Sequence, residues 1–123
     1  MTGLSPSDLR LIMRADFYSF MVRCFTELYG GVTFLPSWHI EVLAARLQAV
    51  REGKVKRLII NIPPRHLKSL AASIALPAWF LGHDPGAAII CATYGQDLSD
   101  KFARDCRSLM QSRWYEATLR LRP

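Results

Sequence analysis

Apolar residues recur at spacings of three and four from the first capping signal onward. Ser5-Pro6-Ser7-Asp8 offers a hydroxyl at a helix N-cap, a proline at the first helical position and an acid at the third. Leu9, Ile12, Met13, Phe17, Phe20, Met21, Cys24, Phe25 and Leu28 then form one face, which predicts a single helix ending at Gly30-Gly31. The opposite side mixes Asp16 and Glu27 with Arg10, Arg14 and Arg23, unlike the purely basic face of a membrane-surface helix, so the apolar face is read as core. A second helix is predicted over 37–52, with Ile40, Leu43, Ala44, Leu47 and Val50 inward and Gly53 as its stop.

The period then changes. Leu58-Ile59-Ile60-Asn61-Ile62 is a short, β-branched apolar run, the pattern of a strand covered on both faces in a parallel sheet, and Pro63-Pro64 ends it. Residues 68–81 predict a helix kinked at Pro77, and Gly82 with Asp84-Pro85-Gly86 predicts a turn. Residues 87–93, "AAIICAT", predict a second strand, and Leu98, Phe102, Cys106, Leu109 and Met110 a last helix reaching about Gln111. The expected class is α/β: two N-terminal helices over about 1–54, followed over about 55–115 by a βαβα unit with a parallel sheet and a right-handed crossover.

Composition narrows this reading without deciding it. At 123 residues the chain suits one core, and 50% hydrophobic with 21% charged residues is a globular balance, not that of a disordered chain. The formal charge is +6 and 12 of the 16 cations are Arg, which suits an anionic partner and equally suits solvated helix faces. Cys24, Cys91 and Cys106 have no CxxC or histidine-spaced partners, so they read as buried thiols in a reducing compartment and not as a zinc site. The N-terminal stretch lacks the basic and apolar blocks of a secretory leader, and the longest apolar run, 69–82, is too short to span a bilayer. No membrane role is expected.

The segment carrying chemistry is "NIPPRHLKSL". Lys68-Ser69 is the pair that closes a GxxxxGK[ST] phosphate loop, but Ile62 and Leu67 stand where its glycines belong. What phosphate binding needs is backbone N–H groups, the positive end of a helix and a lysine; glycine only makes the bend easy. With Pro63-Pro64 restricting entry and removing two donors, the cradle falls to the amides of about Arg65, His66, Leu67, Lys68 and Ser69. Lys68 then holds the phosphates, the Ser69 hydroxyl ligates Mg²⁺, and Arg65 offers a charged fork to the γ-phosphate. If Arg65 and Lys68 were ordinary surface cations they would oppose the dipole of the helix they open, which an anion between them relieves.

"RLIINIPPRHLKSL", preceded by "FLPSWHIEVLAARLQAVREGK" and followed by "PAWFLGHDPGAAIICATYGQDLS", resembles the N-terminal part of the terminase large subunit of tailed phages, from about Ala15 through Tyr115. That family carries a glycine-poor Walker A loop of the form PPRHxKS. The resemblance implies an ATP- and Mg²⁺-binding P-loop ATPase domain of the motor that packages double-stranded DNA into procapsids. It implies the terminase small subunit and the portal protein as partners, and the cytoplasm of a bacterial host as location. Trp38 and His39 fall where the family's adenine-contacting segment lies, although no glutamine stands there. The alternative for Trp38 is a core aromatic at a helix start.

A hydrolytic P-loop enzyme also needs an apolar strand ending in Asp-Glu, and the family's nuclease domain needs clustered acids. Neither pattern occurs in these residues, so the expectation is a fragment of the motor that binds ATP without hydrolysing it alone, its remaining C-terminal segment being a further partner. Two other classes compete: a non-catalytic basic nucleic-acid-binding module, and a small kinase, for which the tail "RWYEATLRLRP" offers too little chain.

Overall fold

A computed structural model of the chain describes residues 5–31, 34, 36–61, 70–93 and 95–119. Among them the architecture is helical: α1 (Pro6–Ala15), α2 (Phe17–Leu28), α3 (Trp38–Arg51), a π-helical turn (Leu70–Ala75) running into α4 (Leu76–His83), α5 (Gln96–Met110) and α6 (Arg113–Thr118).

The predicted first helix is two. Ser5 and Asp8 form the reciprocal capping box expected from the sequence, but Asp16 leaves the helical region at φ −122° and ψ 113°, closing α1 and opening α2. Its carboxylate accepts from the Ser19 amide at 3.2 Å and the Ser19 hydroxyl at 2.7 Å. Gln48 of α3 satisfies what the break exposes, accepting from Phe17 N–H at 3.0 Å and donating to the Ala15 carbonyl at 3.1 Å. Only the later part of the predicted face is core: Phe17, Phe20, Met21 and Cys24 are fully buried, whereas Leu9 and Ile12 on α1 are exposed.

α2 is the centre of the molecule, packed on α1, α3, the π turn, α4 and α5. The Trp79 ring lies 5.2 Å from Phe17, and its Nε1 donates to the Met13 carbonyl at 3.1 Å. Phe20 meets Trp114 and Tyr115 of α6, and the Tyr115 hydroxyl donates to the Ala78 carbonyl at 2.6 Å. α6 is therefore part of the core, where the sequence offered only a tail. Gly82 lies inside α4, not in the predicted turn, and a Cβ there would stand 2.7 Å from Leu119 Cβ.

The α/β expectation is overturned. Residues 58–61 and 87–93 form no strand, and no parallel sheet or βαβα unit exists among the described residues; residue 62 lies outside them. A strand needs a ladder partner for its backbone groups, whereas a helix supplies its own. Here the helices fill the core and leave both runs outside it. Leu58 and Ile60 pack half-buried against the core while Ile59 between them is 85% exposed, so one face of that run is covered instead of two. In the second run Ile90 is 93% exposed, and Cys91, expected to be buried, is exposed.

The helix predicted over 68–81 is described from Leu70 and changes type at its proline. Pro77 has no N–H for the preceding turn, and the π-to-α junction falls beside it, a change of bond pattern in place of a simple kink. α3 and α5 match their predicted spans closely.

Candidate functional site

After α3 the chain turns back on itself. Gly53 takes φ +81°, a conformation that favours glycine, and the amides of Lys54 and Val55 both donate to the Ala49 carbonyl. Residues 56–61 then return along α3 toward its N-terminus. The helical rise from Ala49 back to Trp38 spans about 16 Å at 1.5 Å per residue. An extended chain from Val55 to Asn61 reaches up to about 20 Å. The return strip is therefore long enough to bring Asn61 to the Trp38 end of α3.

Between α3 and this strip lies an open cleft of about 280 Å³. Trp38, His39, Val42 and Arg46 line it from the helix and residues 58–61 from the strip, and its exposed lining is predominantly apolar. Trp38 is 76% exposed, so the core-aromatic alternative fails. Its ring stands perpendicular to that of His39, with centroids 5.9 Å apart. The Ser37 hydroxyl lies 3.3 Å from both ring nitrogens of His39.

Arg65, His66, Leu67, Lys68 and Ser69, the predicted phosphate and magnesium residues, lie outside the described residues. Described residues flank that stretch, ending at Asn61 before it and resuming at Leu70 after it. Upstream, Leu58 and Ile60 rest on the core; downstream, Leu70 and Ala71 are buried in it. The structure thus places Trp38 and His39 in one cleft with residues 58–61, which precede the motif in the sequence. Sequence reasoning missed Arg46 and Asn61 as members of the cleft. For Arg46 the signal was present, since Trp38, Val42 and Arg46 are spaced by four on one helix and all three are exposed; for Asn61 it was hidden by the strand reading.

Two other concavities lie away from this strip. A cavity of about 830 Å³ between α4 and α5 is lined by Leu81, His83, Cys106, Met110 and Tyr115 among others. Burial, and then Cys91 nearby, pushes the Cys106 thiol up, and burial pushes Cys24 up further, the reverse of what a nucleophilic thiolate needs. A groove of about 510 Å³ between α2 and α3 gathers Asp16, Glu41, Glu52 and Lys54. Gln48 first and Lys54 second hold the Glu52 carboxyl below its usual range. Among the described residues no group of three or more His, Cys, Asp or Glu is arranged to hold a metal ion. None of the described helices is long and apolar enough to cross a membrane.

Comparison with protein-family models, with curated proteins and with solved structures finds no match, so the functional reading rests on the residues themselves.

Proposed function

We propose that this chain is a nucleotide-binding segment of a DNA-packaging motor of the terminase large-subunit kind, taking ATP with Mg²⁺. The observation that carries the reading is the cleft: an exposed tryptophan and a histidine at the start of α3 face the strip running into Arg65–Ser69. An apolar cleft with an aromatic wall suits a base, and a motif with Arg65, Lys68 and Ser69 suits the phosphates attached to it.

In this assignment Lys68 and Arg65 hold phosphate oxygens, the amides of His66 and Leu67 add donors, and the Ser69 hydroxyl is a ligand for Mg²⁺. Bound Mg²⁺ neutralises phosphate charge. Trp38 and His39 confine the base and keep water from its apolar faces. Double-stranded DNA, the small subunit, the portal protein and the rest of the motor are the proposed partners, in a bacterial host's cytoplasm.

Isothermal titration of Mg·ATP tests the core of this. Weak binding to the wild type and a loss of tenfold or more, on the order expected for a charged phosphate contact, in Lys68→Ala is the supporting result. Equal affinities of the two proteins would falsify the phosphate assignment. A second reading, a basic nucleic-acid-binding module, is favoured by exposed Trp38 and Arg46 on α3, with exposed Lys56 and Arg57 on the return strip. Single-strand binding that falls steeply with salt, together with no nucleotide binding, selects it.

A further inference from the structure

The second apolar run is pinned at its ends and open between them. The Ala87 amide donates to the Asp84 carbonyl at 3.0 Å, and the Thr93 hydroxyl donates to the Gly95 carbonyl at 2.8 Å and meets the hydroxyl of Ser99 on α5. Between these anchors residues 88–92, Ala-Ile-Ile-Cys-Ala, are all exposed, Ile90 to 93%. Their N–H and C=O groups are hydrogen-bonded to no other group among the described residues. Unpaired backbone beside exposed apolar side chains is the condition of a sheet edge, and residues 87–93 hold no charge or proline that would blunt it.

We propose that residues 88–92 pair antiparallel with the same residues of a second copy of this chain. The order of the residues selects that partner. Around Ile90 the segment reads nearly alike in both directions, so a two-fold axis at Ile90 sets Ala88 opposite Ala92, Ile89 opposite Cys91 and Ile90 opposite its own counterpart. Successive side chains alternate between faces, which puts Ala88, Ile90 and Ala92 on one face and Ile89 and Cys91 on the other. Every facing pair is then uncharged, so the pairing sets no like charges opposite each other although each copy carries +6. Such a contact uses the segment once in each copy and closes at a dimer. Five residues from each copy make a small interface, which belongs to the weak, transient class.

Sedimentation equilibrium of the whole chain at up to about 1 mM, the scale of a weak contact, tests this together with amide hydrogen exchange. The wild type is expected to form dimers, more of them as salt rises, because screening relieves the repulsion between two basic copies. Exchange at residues 88–92 should slow with rising concentration, since the pairing gives those amides acceptors. Ile90→Lys sets two like charges face to face and is expected to weaken the dimer about tenfold or more. Ile90 is exposed in the single chain, so an unfolding midpoint equal to wild type at low concentration separates lost pairing from lost folding. The two copies of exposed Cys91 fall on one face as diagonal neighbours about 7–8 Å apart, so a short bismaleimide should join them, and Cys91→Ser should abolish the link while the dimer persists. A wild type that stays monomeric overturns the proposal and leaves the segment to a strand of a different chain. A dimer untouched by Ile90→Lys, or one that forms without slower exchange at residues 88–92, overturns it also, as does growth beyond a dimer, which a closed two-fold pairing does not allow.

Discussion

Gly82 sits where α4 touches the last buried turn of the chain. A Cβ at this position would stand 2.7 Å from Leu119 Cβ and 3.1 Å from the Tyr115 hydroxyl, and Leu119 is wholly buried. Gly82→Ala must therefore push α6 away, and overpacking of this kind costs about 1–3 kcal/mol, which a lower midpoint in urea unfolding would register. Tyr115→Phe probes the same contact more gently. It removes the 2.6 Å bond to the Ala78 carbonyl, and the loss of that buried bond is expected to cost about 1 kcal/mol with the packing intact. Unchanged midpoints for both would mean that α6 is not seated on α4 as described. Nothing in the local sequence separates a glycine that makes a turn from one that admits a neighbour. Gly82 was read as the former because it precedes Asp84-Pro85-Gly86, and its reason lies 37 residues away at Leu119.

At the scale of elements, α3 and α5 were legible, α6 and the break between α1 and α2 were not, and the two expected strands do not form among the described residues. α3 and α5 announce themselves by periodicity and stop signals, and α1 by its capping box. The break at Asp16 is hidden because Phe17, Phe20 and Cys24 continue the spacing of Met13. Its local sign is Asp16 three residues ahead of Ser19, a capping pair inside an apolar pattern. The break depends on a distant partner as well. Gln48→Ala strips the Phe17 amide and the Ala15 carbonyl of their side-chain partner together, and a loss of about 1–3 kcal/mol is expected by thermal or urea unfolding. Stability equal to wild type would show that water replaces Gln48 freely. The two apolar runs were misread because short β-branched stretches look alike whether a ladder partner exists or not. Of the cleft, Trp38 and His39 were singled out by resemblance, while the membership of Asn61 was hidden by the strand reading.

For the molecule as a whole, pH acts through His83. Burial first and the Arg51 guanidinium second hold its pKa below the ordinary histidine range; the Arg14 backbone opposes them and the Arg14 charge reinforces them. Its ring packs on Trp79 at 4.8 Å, and its Nε2 is buried with no hydrogen-bond partner among the described residues. A depressed histidine pKa means that the unfolded chain takes up the proton first. Stability is then complete above the unfolded value of about 6.5 and declines as the pH falls from there toward the folded pKa. Unfolding midpoints measured from pH 7.5 down to 5 should fall in the acid half of that range, and His83→Gln should flatten the decline. A slope that persists in the variant would assign it to another group.

The Arg14 guanidinium donates to the carbonyls of Thr118 and Leu119 at 3.1 and 3.4 Å, joining α1 to the end of α6 across more than a hundred residues of sequence. Synthesis runs from the other direction. α1 leaves the ribosome long before α6 exists, so its final docking waits on α6, while Leu9, Leu11 and Ile12 stay exposed apolar surface in the folded chain as well. A chaperone that captures apolar helices during translation has its longest opportunity at α1.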